Sequence, residues 1–327
     1  MTAMKPPGPE TESDDDVREF LDAAGWGNAI CEPLAGDAST RKYFRLQQGG
    51  RSSVLMDASQ IPDSMAPFVQ INQHLLNLGF SAPAILARAD AKGLLLLEDF
   101  GNGTFARLLD DGGDPEKFYA LATDVLIALH QRSGVIPKNL RAYHPEKMLE
   151  DVRLFLEWRT PGISDTGRAE FISIWREILP LAHQVPASLL LRDYHVANLM
   201  FLPARDGVRQ AGLLDFQDAY QGPITYDLMS LLEDARRDVP DRLREKMIAR
   251  YQVQFPKLDP KAFQTSLAIL AALRHTRILA IFEKLSRREG KPEYKQFHSP
   301  RVERLLQRAL NHPQLAGVNR WMERHAK

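Results

Sequence analysis

The sequence contains L-R-D-Y-H-V-A-N at residues 191–198 and, after a short connection, L-L-D-F-Q-D at residues 213–218. Phosphoryl transfer requires an aspartate, an asparagine five positions later, and a second aspartate at the end of a buried strand. Asp193 would accept the proton of an attacking hydroxyl, while Asn198 and Asp215 would supply oxygen ligands to magnesium on the nucleotide phosphates. The two segments therefore predict a catalytic loop and a neighbouring metal-binding strand.

Upstream of residue 101 the hydrophobic pattern is mainly that of strands. Two apolar segments flank the turn-forming Q-Q-G-G and predict a β-hairpin. The expected elements are a helix from about Val17, hairpin strands at 42–46 and 53–57, a helix over 65–78, and strands over 84–89 and 93–97.

Beyond residue 101 the apolar residues recur with the helical period for most of the chain. Three short apolar runs between Leu189 and Leu214 interrupt this pattern and indicate short strands that present loops. Helices are expected at about 115–131, 145–158, 168–179, 225–235, 240–255 and 260–286. The pattern predicts an α+β, bilobal chain with a tail at 1–16, a small β-rich N-lobe at 17–100 and a larger, mainly helical C-lobe at 101–327.

The charges of the 327 residues cancel, with 42 Lys+Arg against 42 Asp+Glu. This balance argues against a dedicated nucleic-acid binder, which needs an excess of basic residues for phosphate contacts. The cancellation conceals a division, because 21 basic residues stand against nine acidic ones from Arg236 onward. Such a surplus can draw an anionic sugar towards a cleft.

Cysteine content and hydropathy favour a cytoplasmic protein without a transmembrane segment. Cys31 is the single cysteine, so neither an internal disulfide nor a multi-cysteine zinc site can form, and a reducing compartment is expected. No run approaches the roughly 18 uninterrupted apolar residues of a membrane-spanning helix. The proline-rich, acidic segment 1–16 lacks the features of a signal peptide and is expected to be a disordered tail.

With these motifs the chain resembles the kinase-like superfamily and, within it, the aminoglycoside phosphotransferase family. The catalytic loop and the metal-binding strand carry the resemblance, and G-P-I-T-Y-D-L-M-S-L-L at 222–232 matches the segment that follows them. Within that segment, Tyr226 and Asp227 are expected to anchor a helix to the catalytic loop. The resemblance spans about residues 34–236 and implies a protein-kinase-like fold, with ATP bound by the N-lobe and the acceptor by the C-lobe.

A narrower resemblance concerns a bacterial branch of that family that serves peptidoglycan recycling. Its members phosphorylate the anomeric hydroxyl of N-acetylmuramate and N-acetylglucosamine to the α-1-phosphate. The matching stretches lie at 36–46, 54–58, 94–101 and 231–236. The resemblance implies an amino sugar as the small-molecule substrate, with ATP and Mg²⁺ as cofactors.

Two segments of the N-lobe are candidate contacts for ATP. The loop G-D-A-S-T at 36–40 would lie over the phosphates, where hydroxyl groups can donate hydrogen bonds and a following arginine adds charge. The run L-L-L-L-E-D-F-G at 94–101 has the form of a hinge strand whose backbone can pair with the adenine edge. The candidate residues are Gly36, Ser39, Thr40, Arg41, Glu98, Asp99 and Phe100.

The third strand departs from the pattern of protein kinases. Met56 stands where those enzymes place a lysine that holds the α- and β-phosphates, and the following helix contains no glutamate to pair with it. Leu191 replaces the histidine of the H-R-D triplet, which points away from protein kinases. We expect Arg41 or Lys42 to supply the missing charge from the neighbouring strand.

Residues just beyond the two aspartates are candidates for substrate binding, because their side chains can hydrogen-bond sugar hydroxyls. An arginine there would suit the carboxylate of muramic acid through a bidentate pair. A metal-ligand role for the histidine of the catalytic loop is disfavoured, since no second histidine stands at coordinating spacing. The candidates are Tyr194, His195, Gln217, Asp218, Asp234 and Arg236.

Two alternatives stay open at this point. One is a phosphotransferase for another hydroxylated metabolite, such as an aminoglycoside, choline or homoserine. Aminoglycosides are polycations and call for an acidic pocket, whereas a muramate site should offer a basic residue. The other alternative is a nucleotide-binding pseudokinase with a regulatory role, which the missing lysine motivates. The sequence leaves open the preference between the two amino sugars, the oligomeric state and any protein partner.

Overall fold

The computed structural model describes residues 12–34 and 41–326, which form two compact units. The first unit contains the described residues up to residue 103 and the segment 212–217. The second unit contains residues 104–211 and 218–326. The segment that carries Asp215 thus belongs to the first unit, although it lies far along the sequence.

An antiparallel sheet of five strands forms the centre of the first unit. The elements are α1 (Glu12–Ala23), β1 (Ile30–Leu34), β2 (Lys42–Gln48), β3 (Arg51–Asp57), α2 (Met65–Asn77), β4 (Ile85–Ala89) and β5 (Leu94–Glu98). The strand order is β1-β2-β3-β5-β4. Leu46, Leu55 and Leu96 of this sheet form a hydrophobic core with Phe20 of α1 and with Trp26.

The hairpin of β2 and β3 was correctly predicted from Q-Q-G-G. Gly49 and Gly50 have φ values of 57° and 77°, and both values are in the left-handed region that glycine adopts without steric cost. Two such residues in succession give the turn whose twist matches that of the flanking strands. The register that follows pairs Tyr43 with Met56 and Lys42 with Asp57.

Helix α1 begins earlier than its apolar pattern indicates. It was expected from about Val17, after a disordered tail at 1–16, but it starts at Glu12. Acidic residues in the first turns of a helix are favoured by the helix dipole. In addition, an oxygen of Asp16 lies 3.1 Å from the Nζ atom of Lys92. Part of the segment that was interpreted as a disordered tail is therefore helical and contacts another segment of the first unit. Residues 1–11 lie outside the described residues.

The second unit is mainly helical. Its elements are α3 (Phe105–Asp110), α4 (Pro115–Gln131), α5 (Pro145–Trp158), α6 (Asp165–Ile178), β6 (Ala187–Leu190), β7 (Leu199–Phe201), β9 (Tyr220–Pro223), α7 (Thr225–Leu232), α8 (Asp241–Val253), α9 (Pro260–Arg288), α10 (Ser299–Leu310) and α11 (Ala316–His325). The remaining strand, β8 (Ala211–Leu213), lies where the chain passes from the second unit to the first. The predicted α+β class, with a β-rich N-terminal part and a helical C-terminal part, is confirmed.

Helix α9 is the central element of the second unit and packs against α5, α7 and α10. Its 29 residues include a window that is long and apolar enough to cross a membrane, but 78% of that window is buried inside the protein. Its apolar side chains therefore serve as core. Because most of its surface is covered, the polar residues that it buries, among them Arg274 and His275, need partners within the unit.

Candidate active site

The loop that contains Asp193 follows β6 and is held by a buried carboxylate. Asp227, in the first turn of α7, accepts the backbone N–H of Leu191 at 2.6 Å and that of Arg192 at 2.9 Å. Burial raises the pKa of Asp227 to about 7, although these two bonds and the charge of Arg274 act in the opposite direction. The expectation that Asp227 anchors the loop is confirmed.

Arg192 combines a strained backbone with a side chain that is held on several sides. Its φ of 67° lies in the left-handed region that non-glycine residues rarely adopt. Its Nη2 atom lies 3.0 Å from Oδ2 of Asp151, and its guanidinium lies over the rings of Tyr143 and Tyr220. These contacts offset the strain and fix the backbone directly before Asp193.

The carboxylate of Asp193 lies beside an arginine of α9. Nη2 of Arg274 is 3.5 Å from Oδ1 of Asp193, whose side chain is 41% exposed. Burial opposes ionisation of Asp193, but the positive charges of Arg274 and Arg277 outweigh it and lower the pKa of this carboxyl. Asp193 is therefore ionised at neutral pH and ready to accept a hydrogen bond from a hydroxyl group.

Asn198 lies in the same loop, at the end of a 3₁₀ turn. Its Nδ2 atom donates to the backbone carbonyl of Asp193 at 2.9 Å and lies 3.3 Å from Nε2 of His195. The amide nitrogen is thus directed into the loop, and this bond fixes the direction of the amide oxygen. A neutral histidine fits here, since burial lowers the pKa of His195.

The two residues that follow Asp193 are buried. The hydroxyl of Tyr194 donates to the carbonyl of Ala122 in α4 at 2.8 Å. His195 is 6% exposed, and its Nδ1 atom is buried without a hydrogen-bond partner among the described residues. Tyr194 and His195 are thus both buried next to Asp193, and the substrate-binding roles assigned to them stay predictions.

Asp215 belongs to the first unit and follows β8 in a tight turn. Its φ is 57°, and its Oδ1 atom accepts a hydrogen bond from Nε2 of Gln217 at 2.7 Å. Phe216 between them stacks on Phe68 of α2 at 5.2 Å, and the N–H of Leu213 donates to the carbonyl of Ser81. Gln217, a predicted sugar contact, is therefore joined to Asp215 and orients its carboxylate.

The charges of Arg41 and Asp215 both affect the pKa of Tyr43 in β2. Burial raises the pKa of Tyr43, the charge of Arg41 lowers it, and that of Asp215 raises it. Met56, opposite Tyr43 in the sheet, is fully buried, so the position of the missing lysine is part of the core. Lys42 is exposed, whereas Arg41 is half-buried. Of the two predicted substitutes for the lysine, Arg41 is the one whose charge reaches the surroundings of Asp215.

The predicted hinge ends in a network of side chains. Asp99 accepts hydrogen bonds from Nε and Nη2 of Arg45 at 2.7 and 2.9 Å and from the hydroxyl of Ser52. Burial opposes ionisation of Asp99, but these donors lower its pKa. Glu98 is bonded to Ala84 through backbone and side chain. The acidic side chains are thus part of the scaffold, and the backbone of 98–100 is what a nucleotide can contact.

Three of the predicted ATP contacts, Gly36, Ser39 and Thr40, lie outside the described residues. Phe100 follows Asp99 and is half-buried.

The remaining substrate candidates lie in the second unit. Asp218 is exposed and forms an ion pair with Arg141 at 3.2 Å. Asp234 is 6% exposed and accepts the N–H of Arg236 at 2.8 Å. Burial has the largest effect on the pKa of His195 and lowers it. The charge of Asp234 raises this pKa, and the charge of Arg236 lowers it further. The segment after α7 therefore lies within electrostatic reach of the catalytic loop.

Arg274 is the residue of this site that sequence reasoning missed. It donates to the carbonyl of Arg192 at 3.1 Å and to the hydroxyl of Tyr226 at 3.3 Å, besides its contact with Asp193. The available signal was an arginine within the apolar stretch A-A-L-R-H of α9. A charged side chain on the buried face of a helix needs a partner, but the sequence does not name which one.

The sequence matches known proteins over most of its length. Residues 30–263 match the phosphotransferase enzyme family. An N-acetylmuramate/N-acetylglucosamine kinase of Caulobacter vibrioides is 35% identical, and the match covers 94% of this chain and 94% of the relative. A protein of the same name from Pseudomonas aeruginosa is 34% identical over 91% of this chain and 90% of its own length.

A solved structure shares the fold at low identity. The ADP-bound crystal structure of the aminoglycoside phosphotransferase APH(2'')-Ib superimposes with a TM-score of 0.61 and 18% identity, covering 92% of this chain and 99% of the other. This agreement confirms the kinase-like fold that the catalytic-loop motif implied. On the extent of the sequence match and this fold, the chain belongs to the phosphotransferase enzyme family.

Proposed function

We propose that this enzyme transfers the γ-phosphoryl group of ATP to the anomeric hydroxyl of N-acetylmuramate and N-acetylglucosamine, giving the α-1-phosphate for reuse in cell-wall recycling. The two relatives named for this activity, each matched over at least nine tenths of both chains, support the choice of substrates. The observation that carries the reaction type is the catalytic loop, in which Asp193 lies beside Arg274 and is bonded to Asn198 through its backbone carbonyl.

In the reaction, the anomeric hydroxyl donates its proton to the carboxylate of Asp193 as the sugar oxygen attacks the γ-phosphorus. The bond between that phosphorus and the β,γ-bridging oxygen breaks, and ADP leaves. A carboxylate with a lowered pKa is a weak base. It suffices here because an anomeric hydroxyl is more acidic than other sugar hydroxyls. Asp193 therefore acts mainly by orienting the nucleophile in line with the phosphorus.

The donor atoms of the chain fit magnesium, which prefers a few carboxylate or amide oxygens together with phosphates and water. We assign this role to Asn198, whose amide nitrogen is directed into the loop, and to Asp215, which Gln217 orients. When bound, Mg²⁺ would neutralise charge on the phosphates. Within residues 12–34 and 41–326, no group of three or more acidic, histidine or cysteine side chains is arranged so that it could hold a metal ion.

For ATP we propose the loop 36–40, the backbone of Glu98, Asp99 and Phe100, and the charge of Arg41. The ADP found in the related structure of APH(2'')-Ib is compatible with this assignment. Because the donor is ATP and the lone Cys31 is an exposed, free thiol, we place the activity in the cytoplasm.

The test is turnover of ATP with each amino sugar, with ADP release and sugar phosphate both measured. We expect Asp193→Asn to lower kcat by about 10²–10⁴-fold, the usual contribution of a positioned base. The matched control is Asp206→Asn, because Asp206 is a fully exposed aspartate of the same unit. Full activity of Asp193→Asn would rule out the mechanism. Binding of ATP without phosphorylation of either sugar would favour the pseudokinase.

A further inference from the structure

The catalytic loop contains a strained turn directly before Asp193. The N–H of Asp193 donates to the carbonyl of Leu191 at 2.9 Å, and Arg192 between them has a φ of 67°. A hydrogen bond between residues two positions apart, around a positive φ, is the mark of a rare and strained form of γ-turn. Glycine adopts such a φ without steric cost, whereas any other side chain adds strain. The presence of an arginine here therefore indicates that its side chain has a role.

The side chain of Arg192 is held by a buried carboxylate of α5. Its Nη2 atom lies 3.0 Å from Oδ2 of Asp151, and both side chains are 8% exposed. The guanidinium carbon also lies 4.9 Å from the ring centroid of Tyr143 and 5.0 Å from that of Tyr220. An aromatic face attracts a cation, but a charge-assisted hydrogen bond also fixes its direction. The contact with Asp151 is thus the one that determines where this side chain points.

Asp151 is itself held in place by neighbouring residues. Its Oδ2 atom accepts a hydrogen bond from the hydroxyl of Tyr143 at 2.7 Å and lies 3.6 Å from Nε of Arg277 in α9. Its Oδ1 atom lies 3.4 Å from Nζ of Lys147. Burial raises the pKa of Asp151, but the charges of Arg277 and Arg192 and the bond from Tyr143 outweigh it and lower this pKa. The carboxylate is therefore a charged and fixed anchor.

Other residues hold the two peptide groups that flank the strained φ. Asp227 accepts the N–H of Arg192 at 2.9 Å, and Arg274 donates to its carbonyl at 3.1 Å. A rotation about φ that relaxed the strain would redirect the Cα–Cβ bond and pull the guanidinium away from Asp151. The same rotation would move the next residue, Asp193. The contact between Asp151 and the guanidinium therefore opposes a relaxation that would displace the candidate base.

Resting on the function proposed above, we propose that Asp151 is a positioning residue, which acts through Arg192 to keep the carboxylate of Asp193 directed at the sugar hydroxyl. This role requires no contact with the substrate. A displacement of about 1 Å at the reacting groups can cost about 100-fold in rate, so a contact one residue away from the base is sufficient. The competing explanation is that Asp151 only stabilises the packing of α5 against α9 through Arg277.

The experiment is a double-mutant cycle on kcat, with ATP and N-acetylglucosamine as substrates. Asp151→Asn keeps the shape and an acceptor oxygen but removes the charge, and we expect kcat to fall about 10–100-fold with the KM for the sugar within about twofold of wild type. Arg192→Gly permits the same φ without a side chain and should lower kcat by a similar factor. The double variant should stay within about twofold of Arg192→Gly, because the effect of Asp151 passes through that side chain.

The matched control is Glu283→Gln. Glu283 is another buried carboxylate of the second unit, and its ion pairs are with Arg159 at 3.6 Å, with Lys295 at 3.0 Å and with Arg287. Its loss should lower the temperature of thermal unfolding and leave kcat within about twofold of wild type, since it removes buried ion pairs that do not include the catalytic loop. Thermal unfolding of every variant shows whether folded proteins are being compared.

Losses of kcat that multiply in the double variant would show that Asp151 acts by another route, such as Arg277, and would overturn its positioning role. Full kcat in Arg192→Gly would also overturn it, and this variant decides alone if Asp151→Asn fails to fold. A loss in Glu283→Gln equal to that in Asp151→Asn would show that kcat follows stability, with the same consequence. Each of these results leaves the proposed function standing. A wild-type enzyme that phosphorylates neither sugar would overturn the proposed function, and the role of Asp151 with it.

Discussion

The guanidinium of Arg274 joins the side chain of Asp193 to the backbone of the residue before it. Its Nη2 atom lies 3.5 Å from the carboxylate, while Nη1 donates to the carbonyl of Arg192 at 3.1 Å. One buried arginine of α9 thus controls both the position and the charge of the candidate base. It also links that base to the core helix of the unit.

Replacing Arg274 should change the pH dependence of catalysis. Burial raises the pKa of Asp193 and Arg274 lowers it, so Arg274→Gln removes the main opposing charge. The acid limb of the profile of kcat/KM against pH should therefore move to higher pH, with a lower kcat on the plateau. Arg274→Lys keeps the charge and should restore part of the shift. An acid limb that stays in place in Arg274→Gln, in a variant whose thermal unfolding shows it folded, would contradict this role.

Asp227 should be important for stability because it satisfies two buried backbone N–H groups. Asp227→Ala leaves both donors, on Leu191 and Arg192, without an acceptor. We expect the free energy of unfolding to fall by about 2–4 kcal/mol, since each buried unsatisfied group costs about 1–3 kcal/mol. Asp227→Asn, which keeps an acceptor oxygen, should lose less. Urea denaturation of the two variants measures the difference, and equal losses would speak against the backbone bonds as the cause.

Local sequence patterns were sufficient for the parts of the fold and site that local chemistry determines. The hairpin at Gly49 and Gly50 follows from turn geometry. Three predicted helices begin with a proline at the first position, where the missing N–H has no cost: Pro115, Pro145 and Pro260. The fold class and the family followed from the catalytic loop and the strand before Asp215.

Contacts between residues that are far apart in the sequence could not be predicted from local sequence patterns. The pairing of Arg274 with Asp193 joins positions 81 residues apart, and nothing in the local pattern of α9 selects that partner. Tyr194 and His195 stand next to the base in the sequence, but packing against α4 and within the loop turns them inward. The arginines of α10 were visible only as part of a basic C-terminal region, because the ion pairs of Arg301 with Asp238 and of Arg308 with Asp241 depend on tertiary packing.

Glu233 should govern part of the stability at acid pH. Burial would raise its pKa, but His275, Arg244 and Arg308 together lower it to about 2. A carboxyl with a lowered folded-state pKa contributes stability above its unfolded value of about 4.5, and this is lost as the pH falls towards 2. Between pH 5 and 2 the wild type should therefore lose about 3 kcal/mol more than Glu233→Gln. Urea denaturation across this range tests it, and the exposed Glu146→Gln should behave like wild type.

Arg41 and Lys42 should differ in their effect on ATP. Arg41 is half-buried and acts on Tyr43 together with Asp215, whereas Lys42 is exposed. We expect Arg41→Gln to raise the KM for ATP about 10-fold, the effect of losing a charged contact to phosphate, and Lys42→Gln to leave it within about twofold. The KM for the sugar should stay unchanged in both. A larger effect of Lys42→Gln would assign the role of the missing lysine to that residue instead.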